Sequence, residues 1–292
     1  MNPLAGLMRL LAMLPLSWLR AMGWVLGQVL FQVSARRGHV VATNIALCFP
    51  NLSANEQRQL AKKHFVLVAQ SLIDRAWLWH APEQVLQQRL QCSGELRNLE
   101  DPSPLIMLAP HFVGLDAGGV ALTVLQHVRM ACVYVPLSNH YAEDWMMKGR
   151  NRSGRLWSIA RKAGPQPLMK ALREGQRLHF SPDMDFGMDG AVWSSFFGVP
   201  TATLSSLSRF AKLGRARVCT IVTRLTPQGY SFEMGPVWAD FPSSDVDADT
   251  LRMNQDIEAW VRQSPEQYYW VHKRFKTRPP GQPSVYEPSM PA

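Results

Sequence analysis

The chain has 292 residues, 47% of them hydrophobic, and its 31 Lys and Arg against 22 Asp and Glu give a formal net charge of +9. That length and apolar content fit one large domain, or one domain with an appended element, with ample material for a core. The charge asks for an acidic partner; ten Trp, twelve Phe and fourteen Met favour anionic lipid or a phosphorylated lipid-like substrate over nucleic acid. Cys48, Cys92, Cys132 and Cys219 are widely spaced without a Cys-x-x-Cys pair. They read as reduced core residues, outside any metal or disulfide framework.

Residues 4–33 are strongly apolar, interrupted by Pro15 and Arg20. The longest charge-free part, residues 21–35, is 15 residues, short of the roughly 20 that cross a bilayer. A signal peptide lacks its basic start and its cleavage site here. A tilted span, a helix lying in the interface, which suits Trp18, Arg20 and Trp24, and a buried helix of the soluble fold all stay open. The first acid is Glu56, while Arg36 and Arg37 follow the apolar stretch; that charge order keeps the rest of the chain cytoplasmic. Ser53-Ala54-Asn55-Glu56 is a capping box that opens a helix through about Trp79, and Pro82 starts a short one. Residues 105–109 are an apolar run bounded by Pro102 and Pro104, a buried strand, and residues after Gly119 read as a helix. Residues 129–135 are the next strand. Between residues 148 and 162 lie Lys148, Arg150, Arg152, Arg155, Arg161 and Lys162 without an acid. This run is either a solvated face or a phosphate site, the latter favoured by its place after a strand. A helix over 167–174 and a strand over 177–181 lead to Asp183-Met184-Asp185, either a metal motif or a turn with one acid paired to the arginine cluster. Residues 196–203 form an apolar loop before a helix to Lys212. Residues 218–224 and 230–237 make a β-hairpin, and residues 251–261 an amphipathic helix. Lys273, Arg274, Lys276 and Arg278 suit an anionic membrane or a phosphorylated head group, and the Pro-rich end after Pro279 reads as disordered.

The chemistry concentrates at Pro110-His111-Phe112-Val113-Gly114-Leu115-Asp116, where the strand turns into a helix. Ligands bind at that edge of open α/β sheets. A neutral imidazole is a general base near pH 7, and a carboxylate on its other nitrogen sets the tautomer. Residues five apart do not share a face of a straight helix, so His111 and Asp116 can pair only with His111 on the loop and Asp116 in the first turn, a bend Gly114 permits; the other reading is that His111 caps a helix or satisfies a core group. No Ser or Cys nucleophile follows, so the base would act on a substrate hydroxyl.

This stretch resembles the His-x4-Asp/Glu motif of the glycerolipid and lysophospholipid acyltransferases. Four more segments narrow the resemblance to the lipid A biosynthesis lauroyl/myristoyl acyltransferases: Asn44-Ile45-Ala46-Leu47-Cys48-Phe49-Pro50, Gly149-Arg150-Asn151-Arg152, Ser181-Pro182-Asp183-Met184-Asp185-Phe186-Gly187, and the long run from Pro265-Glu266-Gln267-Tyr268 to Thr277-Arg278-Pro279. Many members carry Pro-Asp-His-Asp-Tyr-Gly where this chain has Met184 and Phe186.

The resemblance implies an α/β fold with a mixed central sheet flanked by helices and an N-terminal apolar membrane helix. The domain plan would be an anchor at 1–35, a catalytic domain at 36–279 and a disordered tail at 280–292. It implies an acyl carrier protein thioester as donor and the 3-hydroxyl of a hydroxyacyl chain on a lipid A precursor, an anionic glycolipid, as acceptor. The place would be the cytoplasmic face of a Gram-negative inner membrane, with no metal, no cofactor and no nucleic acid. His111 would be the base and Asp116 its orienter, with Arg150, Arg152, Asp183 and Asp185 contacting substrate. Three rivals remain: acylation of another lipid such as an ornithine lipid, a metal-dependent glycosyltransferase using Asp183 and Asp185, and a non-catalytic membrane module.

Overall fold

A turn over residues 12–15 ending in Pro15 breaks the apolar N-terminus into α1 (Pro3–Leu11) and α2 (Leu16–Val33) in the computed structural model, which describes residues 3–287. Helix α3 (Ala35–Cys48) follows, then α4 (Ala54–His80), opened by the expected capping box: Ser53 and Glu56 exchange side chain-to-backbone bonds. Helix α2 lies against α4 at two glycines. A Cβ on Gly27 would come within 2.4 Å of the Val66 Cα, and one on Gly23 within 2.7 Å of the Gln70 Cα, so only glycine allows this approach. One turn away Arg20 pairs with buried Asp74 at 3.1 Å, and Asp74 also accepts from Tyr230 and Trp77. The expectation of a membrane-spanning helix is therefore corrected. Among the described residues no helix is long and apolar enough to cross a membrane, because the stretch is broken, carries a buried ion pair, and turns one face to the folded domain.

Helix α5 (Glu83–Arg89) leads into β1 (Leu90–Gly94). Strand β2 (Leu105–Leu108) is wholly buried, and α6 (Leu115–Val120) follows it. Then come β3 (Met130–Tyr134), α7 (His140–Arg150), β4 (Leu156–Ala160), α8 (Gln166–Arg173) and β5 (Arg177–Phe180). A hairpin of β6 (Ala191–Phe196) and β7 (Val199–Leu204) precedes α9 (Ser206–Gly214), β8 (Arg217–Thr226), β9 (Gly229–Val237) and α10 (Val246–Gln263). The seven-stranded sheet runs β1-β9-β8-β2-β5-β3-β4. All its pairs are parallel except β8–β9, the hairpin expected from the sequence. Parallel strands need helical cover on both faces, which explains the near-continuous apolar run of β2 and the two core clusters on either side of the sheet.

Three local expectations change. The apolar stretch at 196–203 is a hairpin, since Phe197 and Gly198 both take positive φ (52° and 76°) and close a two-residue turn. The basic run at 148–162 is split by β4, and its side chains point in different directions. The Pro-rich tail is anchored at one point: Tyr286 is buried, accepts from the Phe275 amide and donates to Asn44, while residues 280–283 and Glu287 are exposed. Residues 288–292 lie outside the described residues.

Candidate active site

Strands β2 and β5 are parallel neighbours with Leu108 opposite Phe180. His111 and Asp183 each come three residues after that matched pair, so both leave the carboxyl edge of the sheet together. The Asp183 side chain has no exposed surface and accepts three hydrogen bonds: the His111 amide at 2.9 Å and the Tyr268 hydroxyl at 3.0 Å on Oδ2, and His111 Nδ1 at 2.7 Å on Oδ1. Burial raises the Asp183 carboxyl, but the pairing with His111 outweighs it and holds the group down to about 2. An ionised carboxylate only accepts, so Nδ1 carries a proton, and in the neutral ring the lone pair is on Nε2. The ring is about one-fifth exposed, and Nε2 has no partner among the described residues.

The segment after α10 builds the other wall. His111 O accepts from the Tyr269 amide, Val113 N donates to Gln267 O, and Phe112 bridges Tyr268. Asn44 on α3 fixes this segment by donating to the carbonyls of Trp270 (2.7 Å) and His272 (2.8 Å). His272 Nε2 accepts from the Asp185 amide at 3.1 Å, and burial pushes its pKa down to about 4. Asp185 itself accepts from Thr277 N, Thr277 Oγ1 and Gly187 N. Both acids of Asp183-Met184-Asp185 are thus held by internal donors, against their expected use as substrate contacts or metal ligands. Among the described residues no group of three or more His, Cys, Asp or Glu converges in a way that could hold a metal.

The expected pairing of Asp116 with His111 is corrected. Asp116 does sit in the first turn of α6, but Arg75 holds its Oδ2 (2.7 and 2.8 Å) and Arg150 its Oδ1 (2.8 Å). Burial raises its carboxyl; the two guanidinium groups outweigh that and hold it well below the usual range. Gly114 has φ −85°, so it supplies no special bend. It is there because a Cβ would lie 2.3 Å from the Thr223 carbonyl oxygen. His179 on β5 lies between the two clusters, pushed down to about 4 by burial first and then by Arg150 and His111.

Arg152 does not face the site. Its two terminal nitrogens donate to Leu78 O and Ala81 O, both at 2.6 Å, and cap the carboxyl end of α4. Arg152→Ala is expected to lower stability by about 2 kcal/mol, roughly 4–8 °C in melting temperature, with turnover per folded molecule within about threefold of wild type. A tenfold loss of turnover at unchanged melting temperature would return Arg152 to the site. Sequence reasoning missed Tyr268, His272, Asn44 and Arg75. The first three lie in segments that carry the family resemblance, which was the available signal; Arg75, inside an ordinary helix, gave none.

A mostly parallel α/β sheet with a carboxylate-held histidine at its carboxyl edge places polar chemistry where such folds bind ligands. The profile of the bacterial lipid A biosynthesis acyltransferases matches residues 4–277, and the chain belongs to that family; it is an acyltransferase. It is 30% identical over 288 residues to the lipid A biosynthesis lauroyltransferase of Escherichia coli (strain K12), covering 96% of this chain and 92% of that one. The palmitoleoyltransferase of the same organism is 28% identical over the same shares. Its myristoyltransferase is 29% identical over 87% of this chain and 79% of that one.

Proposed function

We propose that the protein moves a fatty acyl chain from an acyl carrier protein thioester to a hydroxyl of a lipid A precursor, a late acylation at the cytoplasmic face of a Gram-negative inner membrane. The observation that carries the mechanism is the Nδ1–Asp183 bond at 2.7 Å, which turns the bare Nε2 outward. His111 Nε2 takes the proton of the acceptor hydroxyl as its oxygen attacks the thioester carbonyl. Asp183 stabilises the imidazolium. The tetrahedral intermediate collapses, the carbon–sulfur bond breaks, and the thiolate takes the proton back from His111. No acyl-enzyme forms, since no Ser or Cys among the described residues bonds to His111. Arg75 and Arg150 set two cations against the one carboxylate of Asp116, and the surplus positive charge favours the acceptor phosphates or the developing oxyanion. In this reading Arg150 and Arg75 together face the substrate's charge.

The outer face of α2 carries Trp18, Met22, Trp24, Val25, Leu26 and Val29 to solvent. Beside it a groove of about 360 Å³ is lined by Trp24, Gln28, Val66 and Leu67 with two lysines, Lys62 and Lys63, against one acid, Glu266. Aromatic and aliphatic surface next to lysines fits docking in the interface of an anionic bilayer without crossing it. The test is to incubate purified protein, acyl carrier protein thioester and lipid A precursor on anionic vesicles, then analyse the lipid by mass spectrometry and float the vesicles. One added acyl chain on the precursor and protein in the floated fraction are expected. An unmodified precursor contradicts the reaction; protein left at the bottom contradicts the docking.

A further inference from the structure

Arg274 was expected to face an anionic membrane or a phosphorylated head group, yet it is 1% exposed. Its guanidinium donates to Ala202 O (3.3 Å), Thr203 Oγ1 (3.1 Å) and Asn254 Oδ1 (3.2 Å), all neutral, and lies 5.1 Å from the centroid of the Phe196 ring. No carboxylate comes within ion-pair distance among the described residues, and its buried Nε has no partner. A buried cation without a contacting anion is costly unless charge nearby compensates. The charges near it include the reaction centre: Arg274 lines the same closed pocket as His111, Asp183, Tyr268 and His272 and helps hold Asp183 ionised, and Phe196 packs against Tyr268, whose hydroxyl holds Asp183.

We propose that Arg274 is the buried countercharge that lets His111 rest as a neutral base beside an ionised Asp183, a positioning residue that does not touch substrate. This rests on the reading of His111 as the base. The groups facing the pair are Asp183, Tyr268, His272, Asp185 and Arg274 on one side, and His179 with Arg150, Arg75 and Asp116 on the other. Tyr268 and the two buried histidines stay neutral, burial being the first cause in each case. Two carboxylates, Asp183 and Asp185, then stand on the side where Arg274 supplies the cation. Removing Arg274 makes the surroundings of His111 one unit more negative, so the ring keeps a proton at rest and cannot accept one from the hydroxyl. Removing the charge of Asp185 acts in the opposite direction. A purely structural role, tying the β6–β7 hairpin to α10, would lower activity equally at every pH.

The experiment measures kcat/KM for acyl transfer against pH, with melting temperatures on the same preparations, for wild type, Arg274→Gln, Arg274→Lys and Asp185→Asn. The acidic limb is expected to rise by about one pH unit or more in Arg274→Gln, with activity recovering at high pH. It should stay near the wild-type position in Arg274→Lys and fall in Asp185→Asn. A uniform loss across pH in Arg274→Gln, or a limb that moves as far in Arg274→Lys, overturns the proposal. If Arg274→Gln does not fold, Arg274→Met, which fills the same buried space without the charge, carries the test: a raised limb supports the proposal, and an unmoved one overturns it. A wild-type profile without an acidic limb overturns the base assignment beneath it as well.

Discussion

Replacing His111 with asparagine is expected to reduce acyl transfer by about 10²–10⁴-fold, the range general-base catalysis supplies, while the melting temperature stays within a few degrees. Asparagine is the informative choice. Its amide can donate to Asp183 Oδ1 in place of Nδ1, so the buried carboxylate keeps its partners, and only the Nε2 lone pair is lost. His111→Ala removes that donor too and leaves a buried acceptor short of a bond, at about 1–3 kcal/mol. Its activity loss would mix chemistry with folding. Transfer assays and thermal melts on both variants separate the two. A stable His111→Asn protein with near-normal transfer would show that the histidine is not the base.

Asp183→Asn is expected to cost about 10³-fold or more, because it reverses the histidine tautomer. Two donors, the His111 amide and the Tyr268 hydroxyl, meet on Oδ2. That position must remain an oxygen, so the asparagine nitrogen falls where Oδ1 was and points a donor at Nδ1. The ring can answer only by moving its proton to Nε2, the nitrogen that should be bare. Asp116→Asn should behave differently. It deprives Arg75 and Arg150 of their shared anion, at about 1–3 kcal/mol of stability, and leaves the tautomer alone. Equal falls in transfer with no difference in tautomer would place both acids in one supporting role and refute the distinction.

Why Asp116 and not Asp183 looks like the partner from sequence is a matter of dimension. Asp116 is close in the chain, whereas Asp183 is close only because β5 slots beside β2 with β3 and β4 beyond it. Nothing in a single sequence orders strands that way, although once Leu108 and Phe180 are known to be opposite, the equal offsets to His111 and Asp183 follow. His111 itself was legible, because an apolar run bounded by prolines marks a strand end without any long-range knowledge. The α4 capping box and the β8–β9 hairpin were legible for the same local reason. The cationic runs misled. A count of charges cannot tell Arg152, which terminates a helix at Leu78 and Ala81, from Arg150, which meets an acid, or Arg274, which is buried. The N-terminal stretch misled in the other direction: hydropathy registers Leu19, Gly23 and Gly27 as apolar but not that they face α4, and it treats Arg20 as an interruption when it is half of an ion pair.

The His111 tautomer, read by nitrogen NMR of histidine-labelled protein above the acidic limb of its activity, bears most directly on the claim that Asp183 prepares the base. In the wild type the proton is expected on Nδ1 with Nε2 bare, in Asp183→Asn on Nε2, and in Asp116→Asn on Nδ1 as in wild type. A wild-type ring protonated at Nε2, or a ring that switches with Asp116→Asn and not with Asp183→Asn, would contradict it.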